Sequence, residues 1–326
     1  MKSSTLINLL LLSIGIGVFI IFLHDLDFIL IWTSVRTLNI NAILMIIVLT
    51  LITVFIKALR WQYLIYRTTT KKISNTFSFF SIIAGIAAGS LTPGRAGEVA
   101  KPLMLKTNYN IQISKTLSCV FSERAFDLLS IICLFFIGIL FLPIKTDVYN
   151  YAKILLFVFF ILIILVLFVF PKKFQTFIIF VISKIITSEK LKEKLVAITE
   201  NLFAGFEILK KKSVLFFVGI TSLLSMVIEI IRLFFILSLF NLHLNFWLVM
   251  FAFSASVVFG LLTLVPGGIG TTEMSLALII TTLLPSFAEE NLLKLVILID
   301  RFFAYYLLTG IGGIVLLINQ KWKRKT

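Results

Sequence analysis

Stretches of roughly 17 to 25 almost uncharged, apolar residues recur along the chain, each long enough to cross a hydrocarbon layer about 30 Å thick. They are continuously apolar rather than alternating. Backbone polar groups in lipid must be satisfied within the segment, so the runs read as membrane-spanning helices and not as barrel strands. The rest of the composition agrees. Of 326 residues, 60% are hydrophobic and the mean hydropathy is +1.11, more apolar surface than a soluble domain of this length can bury. The net charge of +15, from 30 Lys and Arg against 15 Asp and Glu, raises the question of nucleic acid. No module for RNA or DNA is present, and excess Lys and Arg is what cytoplasmic loops of membrane proteins carry.

Full spans are expected at 5–23, 40–59, 117–142, 151–170, 214–240 and 294–318. The first lacks a signal-peptide cleavage site before His24, Asp25 and Asp27 and reads as a retained helix. Two further stretches, 77–105 and 246–284, are interrupted at Pro93-Gly94-Arg95-Ala96-Gly97-Glu98 and at Pro266-Gly267-Gly268-Ile269-Gly270-Thr271-Thr272-Glu273. Proline stops the preceding helix and glycine allows a tight reversal. Each stretch is therefore expected to dip into the bilayer and return on the same side.

Charge placement supports that topology. Lys57, Arg60, Arg67, Lys71 and Lys72, then Lys101, Lys106 and Lys115, then the lysines of 172–212 and the C-terminal Lys321 to Lys325 all fall in the cytoplasm, with both termini, if both breaks are re-entrant. The expected fold is all-α and polytopic, with about six transmembrane helices and two re-entrant helical hairpins in an inverted-topology repeat. The chain reads as one integral membrane domain over 1–326. Its first repeat is 40–142 and its second is 214–318. The connecting segment 143–213 holds one span and a basic amphipathic stretch in which Leu191, Leu195, Ile198, Leu202, Phe206 and Leu209 recur at helical spacing. Residues 184–212 suit an anionic inner leaflet, or packing on the bundle. The location expected for such a chain is the plasma membrane.

The two halves carry matching features in one order: Lys57 and Arg60 against Glu229 and Arg232, Glu98 against Glu273, and Glu123-Arg124 against Asp300-Arg301. Inverted repeats with paired broken helices recur among transporters, which place their site where the repeats meet. Ionisable residues inside a membrane are costly and are paired or functional. The candidate site residues are therefore Arg95, Glu98, Glu123, Arg124, Asp127, Glu229, Arg232, Glu273, Asp300 and Arg301. Arg95, at the start of a returning half-helix, suits an anionic group such as a lipid phosphate. The alternative is that Glu98 caps its own helix and pairs with Arg95. Thr271 and Thr272 are expected to cap the second half-helix. With no arginine in its own break, the second hairpin suits a proton or an amine. Lys57 and Arg60 read as interfacial anchors.

No nucleophile set, phosphate loop or metal-ligand cluster is legible, so neither catalysis nor a cofactor is expected. Cys119 and Cys133, on one helix and about 21 Å apart, are too distant for a disulfide.

The run Leu91 to Glu98, the Glu123-Arg124-x-x-Asp127 segment and the run Pro266 to Glu273 together resemble the membrane family that contains the flippase part of lysylphosphatidylglycerol synthases. The resemblance covers nearly the whole chain. It implies movement of a polar-headgroup lipid between leaflets, either an aminoacylated phospholipid or a polyprenyl-phosphate-linked lipid. Synthesis of the lipid would fall to a separate lipid-modifying enzyme, because the chain ends at Thr326 with no soluble synthase domain. A transporter of a small soluble solute, or a non-catalytic subunit of a lipid or glycolipid pathway, is the alternative.

Overall fold

The computed structural model describes residues 3–24, 38–142, 211–284 and 289–323, with scattered positions in 26–36 and 175–200. The expected span 151–170 and most of the basic segment 184–212 lie outside the described residues. The described residues form helices α1 (Ser3–His24), α2 (Ile40–Thr69), α3 (Asn75–Ser90), α4 (Ala100–Tyr109) and α5 (Ile113–Leu140). After the gap come α6 (Lys212–Leu239), α7 (Phe246–Leu262), α8 (Thr271–Leu283), α9 (Glu290–Arg301) and α10 (Leu307–Lys323). Both interruptions fall where proline and glycine predict them, as tight turns at Pro93–Val99 and Pro266–Gly268. Asn39, Ser74 and Asn245 cap α2, α3 and α7 by accepting backbone N–H groups, satisfying donors that a helix start leaves open.

Among the described residues, three helices are long and apolar enough to cross a bilayer: Ile40–Thr69, Lys212–Leu239 and Glu290–Asn319, the last running through a π-turn at Phe302–Tyr306. Shorter apolar helices cover Leu10–His24, Asn75–Ser90 and Phe246–Leu262. The helix expected to end at 59 continues to Thr69. The reason is that Lys57 and Arg60 do not mark an interface: Arg60 is 1% exposed and both are neutralised by carboxylates inside the bundle.

The packing has a two-fold look. Helices α2 and α6 lie side by side and antiparallel. Lys57 meets Glu229, Arg60 meets Ser222, Tyr63 packs at a tilt on Phe217 and Arg67 reaches Ser213, so one number rises as the other falls. The hairpins dock crosswise. On α5, Gly138 lies so close to α7 that a Cβ there would sit 2.7 Å from the Phe251 backbone nitrogen. On α10, a Cβ at Gly312 would sit 2.2 Å from the Ile83 carbonyl oxygen of α3. Small residues at such crossings are how helices approach closely where lipid supplies no hydrophobic drive between them. Two apolar clusters occupy opposite ends, one around Trp61, Leu64 and Val218, the other around Leu134, Leu233 and Val296. Buried Thr50, Thr53, Ser222 and Ser225 and the ionic groups described next lie toward the seam between them.

Candidate functional site

The first break is a backbone built around its glycines. Gly94 and Arg95 are consecutive left-handed residues, with φ of 59° and 57°, an unusual conformation for arginine. Gly97 folds back onto α3 so tightly that a Cβ would fall 1.9 Å from the Ala88 carbonyl oxygen. Thr92 fixes the turn by accepting the Gly97 N–H at 2.7 Å. This clamp delivers Glu98, 2% exposed, to the interior.

Glu98 does not pair with Arg95. Arg124 binds it at 2.6 Å and Lys101 at 3.3 Å. Lys101, which sequence places among the cytoplasmic charges, is 1% exposed. Its stem lies against Gly85, its ammonium sits 4.7 Å from the Trp61 ring centre, and it binds Glu123 at 2.6 Å. From α2, Arg60 contacts Glu123 at 3.3 Å, grips Asp127 through two bonds of 2.6 and 3.2 Å, and donates to Ser222. Arg124 also approaches Asp127 at 3.6 Å. Three carboxylates thus share three cations in a connected cluster, with each charge compensated as the low-dielectric interior requires.

The second break is simpler. Gly267, Gly268 and Gly270 all have positive φ. A Cβ at Gly267 would overlap the Tyr305 hydroxyl, and one at Gly270 would meet the Gly15 carbonyl oxygen of α1 at 2.4 Å. Thr271 and Thr272 do not cap α8. Gly270 occupies the cap position, and the Thr271 hydroxyl turns back to donate to the Gly268 carbonyl at 3.2 Å. Glu273 is fully buried. One of its oxygens accepts from Arg301 at 2.7 Å and from the Tyr306 hydroxyl at 3.0 Å. The arginine absent from this break is therefore supplied by the last helix. Arg301 also donates to the Gly267 carbonyl at 3.2 Å and lies over the Tyr305 ring. The π-turn that carries both tyrosines is a feature common at functional sites.

The remaining candidates separate into pairs. Arg232 binds Asp300 at 2.8 Å, and Lys57 binds Glu229 at 2.6 Å across a separation of 172 positions. The two units therefore use one scheme. An arginine of the first helix (Arg60, Arg232) holds a carboxylate of the last (Glu123, Asp300), whose neighbour (Arg124, Arg301) holds the hairpin glutamate (Glu98, Glu273). The two breaks touch each other: a Cβ on Gly267 would lie 3.3 Å from the Ser90 carbonyl oxygen. Sequence reasoning missed Lys101, Tyr305 and Tyr306. Lys101 carried a signal, since it falls three residues after Glu98 and so on the same helical side. The tyrosines, adjacent in an apolar run, carried none.

Known proteins similar to this chain are membrane proteins. Three curated archaeal relatives are UPF0104 membrane proteins. The one from Methanothermobacter thermautotrophicus is 27% identical over 79% of this chain and 78% of its own. The Pyrococcus horikoshii protein is 26% identical over 87% and 88%, and the Methanocaldococcus jannaschii protein 28% over 71% and 94%. The chain is membrane-embedded, and a match over residues 7–312 makes it a member of the lysylphosphatidylglycerol synthase TM region family.

Proposed function

We propose that this protein translocates a polar-headgroup lipid between bilayer leaflets. The headgroup crosses between the two breaks while the acyl chains stay in lipid. The observation that carries this reading is the meeting of the two breaks inside the bundle, each with a buried glutamate held by an arginine of the unit's last helix. The family adds a lipid connection through the name of its synthase members. In this reading 40–142 and 214–318 are inverted repeats, with six full crossings and two re-entrant hairpins. The antiparallel α2–α6 pair and the crosswise hairpin docking support it. A two-fold axis that makes equivalent helices antiparallel lies perpendicular to them, hence in the membrane plane.

Both termini then face the cytoplasm of a plasma-membrane protein. The segment 184–212 rests on the anionic inner leaflet. The chain performs no synthesis, and a separate enzyme supplies the lipid. The test is leaflet exchange of fluorescent lipids in proteoliposomes, with Glu98→Gln and Glu273→Gln beside the wild type. Loss of exchange in both variants is expected. Normal exchange in both would remove the breaks from the path, and no exchange of any lipid by wild type would turn attention to a soluble solute or to a subunit role.

A further inference from the structure

Among the described residues of the ionic schemes, six carboxylates, Glu98, Glu123, Asp127, Glu229, Glu273 and Asp300, are held by six cations, Lys57, Arg60, Lys101, Arg124, Arg232 and Arg301. Arg95 is a seventh. Its guanidinium makes no ion pair and no side-chain hydrogen bond with any described residue, and it is only half-buried. Each of these six carboxylates is already matched, so among the described residues no counter-charge is left for Arg95. A lone cation beside a low-dielectric interior draws an anion strongly. The left-handed backbone at Arg95 costs about 1 kcal/mol or more, and strain of this kind is kept where surrounding structure holds a side chain in one place.

The second break contributes a different group. The second carboxylate oxygen of Glu273, Oε2, is buried without a hydrogen-bond partner, and the charge of the group is already met by Arg301. An amine there would bring a second positive charge to a neutralised carboxylate. A hydroxyl would satisfy the open acceptor without adding charge. The Tyr305 hydroxyl sits where the two breaks meet, against Gly267, which also faces the Ser90 carbonyl oxygen.

Resting on the translocation reading, we infer that the two breaks together recognise a phosphate ester of net negative charge that bears hydroxyls and no amine. Arg95 takes the phosphate and Glu273 a hydroxyl. Phosphatidylglycerol has this chemistry among lipids and glycerol 3-phosphate among soluble molecules.

The experiment compares leaflet exchange of phosphatidylglycerol, phosphatidylcholine and lysyl-phosphatidylglycerol by the full chain in proteoliposomes, as wild type, Arg95→Gln and Arg95→Lys. Arg95 holds no other residue, so both variants keep every ion pair. Expected is exchange of phosphatidylglycerol about tenfold faster than of the other two, a lead that vanishes in Arg95→Gln and partly survives in Arg95→Lys. Equal wild-type rates, or a lead untouched by Arg95→Gln, overturn the inference and leave lipid movement standing. If no lipid moves, translocation itself falls. Thermal stabilisation of the detergent-purified protein by glycerol 3-phosphate, lost in Arg95→Gln, would then keep the anion site for a free phosphate ester, and no such stabilisation would end it as well.

Discussion

The first and second breaks use one backbone device and finish it differently. The tip of the first is open: Leu91 is 74% exposed, and Gly94 and Ala96 are exposed beside it. The tip of the second is sealed from Val265 to Gly268 and again from Gly270 to Glu273, with α1 pressed onto it through Gly15 and Phe19. Each break has one non-glycine residue in the left-handed region, Arg95 in the first and Leu264 in the second. Glu98 sits in a cluster with several cations, whereas Glu273 depends on one arginine and one tyrosine. A two-fold pair of identical breaks would offer a symmetric site, and a lipid headgroup is not symmetric. The difference teaches that the repeat supplies the scaffold while departures from it supply the recognition.

The largest effect should come from the ionic schemes, which differ in redundancy. Arg232→Met strands Asp300, 3% exposed and with no other described cation on it. The expected loss is about 3–5 kcal/mol, read as a large drop in melting temperature in detergent. Arg60→Met leaves Glu123 with Lys101 and Asp127 with Arg124, so its drop should be clearly smaller. Adding Asp300→Asn to Arg232→Met should recover much of the loss. Equal drops for the two arginines would mean that the first cluster does not share charge as its geometry says.

Next come the crossings that dock each hairpin on the other unit. Gly138→Ala and Gly312→Ala place a methyl against backbone atoms that cannot turn aside, and each should cost about 1–3 kcal/mol. Gly310 and Gly313, on the same helix as Gly312, have open space around a Cβ, so alanine there should leave the melting temperature unchanged or slightly higher. A loss at Gly312 without one at Gly138 would show that the first hairpin is the more rigidly held of the two.

Much of this frame was legible in the sequence, because it rests on local rules. Proline and glycine fix where α3 and α7 stop, and long apolar runs fix α2 and α6. The break residues and the repeated acidic and basic positions named from sequence come together in ion pairs inside the bundle. The pairing inside it was not legible. Arg301 comes to Glu273 from another helix, and Arg60 lies in the interior rather than at an interface. A lysine after a hairpin reads equally well as a cytoplasmic charge or, like Lys101, as a buried bridge. Only the fold brings Trp61, Gly85 and Glu123 around it.

The glycines that open the two breaks offer a finer contrast. Gly94→Ala meets only left-handed strain, since its surroundings are open, and should cost about 1 kcal/mol. Gly267→Ala meets similar strain and also the Tyr305 hydroxyl, so about 2 kcal/mol is expected. Tyr305→Phe in the Gly267→Ala background should return part of the difference in thermal unfolding. If Tyr305→Phe gives nothing back, the hydroxyl is not what closes the second break.

The smallest effect tests the seam between the units. Lys57 and Glu229 occupy matching places in the two halves and bind each other, as equivalent residues do where a two-fold axis passes between them. Their side chains are 17% and 19% exposed, less enclosed than the Arg232–Asp300 pair, so either single neutralisation should cost about 1 kcal/mol or less. The informative variant is the exchange, Lys57→Glu with Glu229→Lys. Near a two-fold axis both partners see similar surroundings, so the reversed pair should restore the melting temperature to within a few tenths of a kcal/mol of wild type. Reversal as damaging as the summed single changes would mean that the surroundings differ in sign at the seam itself. The asymmetry seen at the two breaks would then reach the centre of the molecule instead of being confined to their tips.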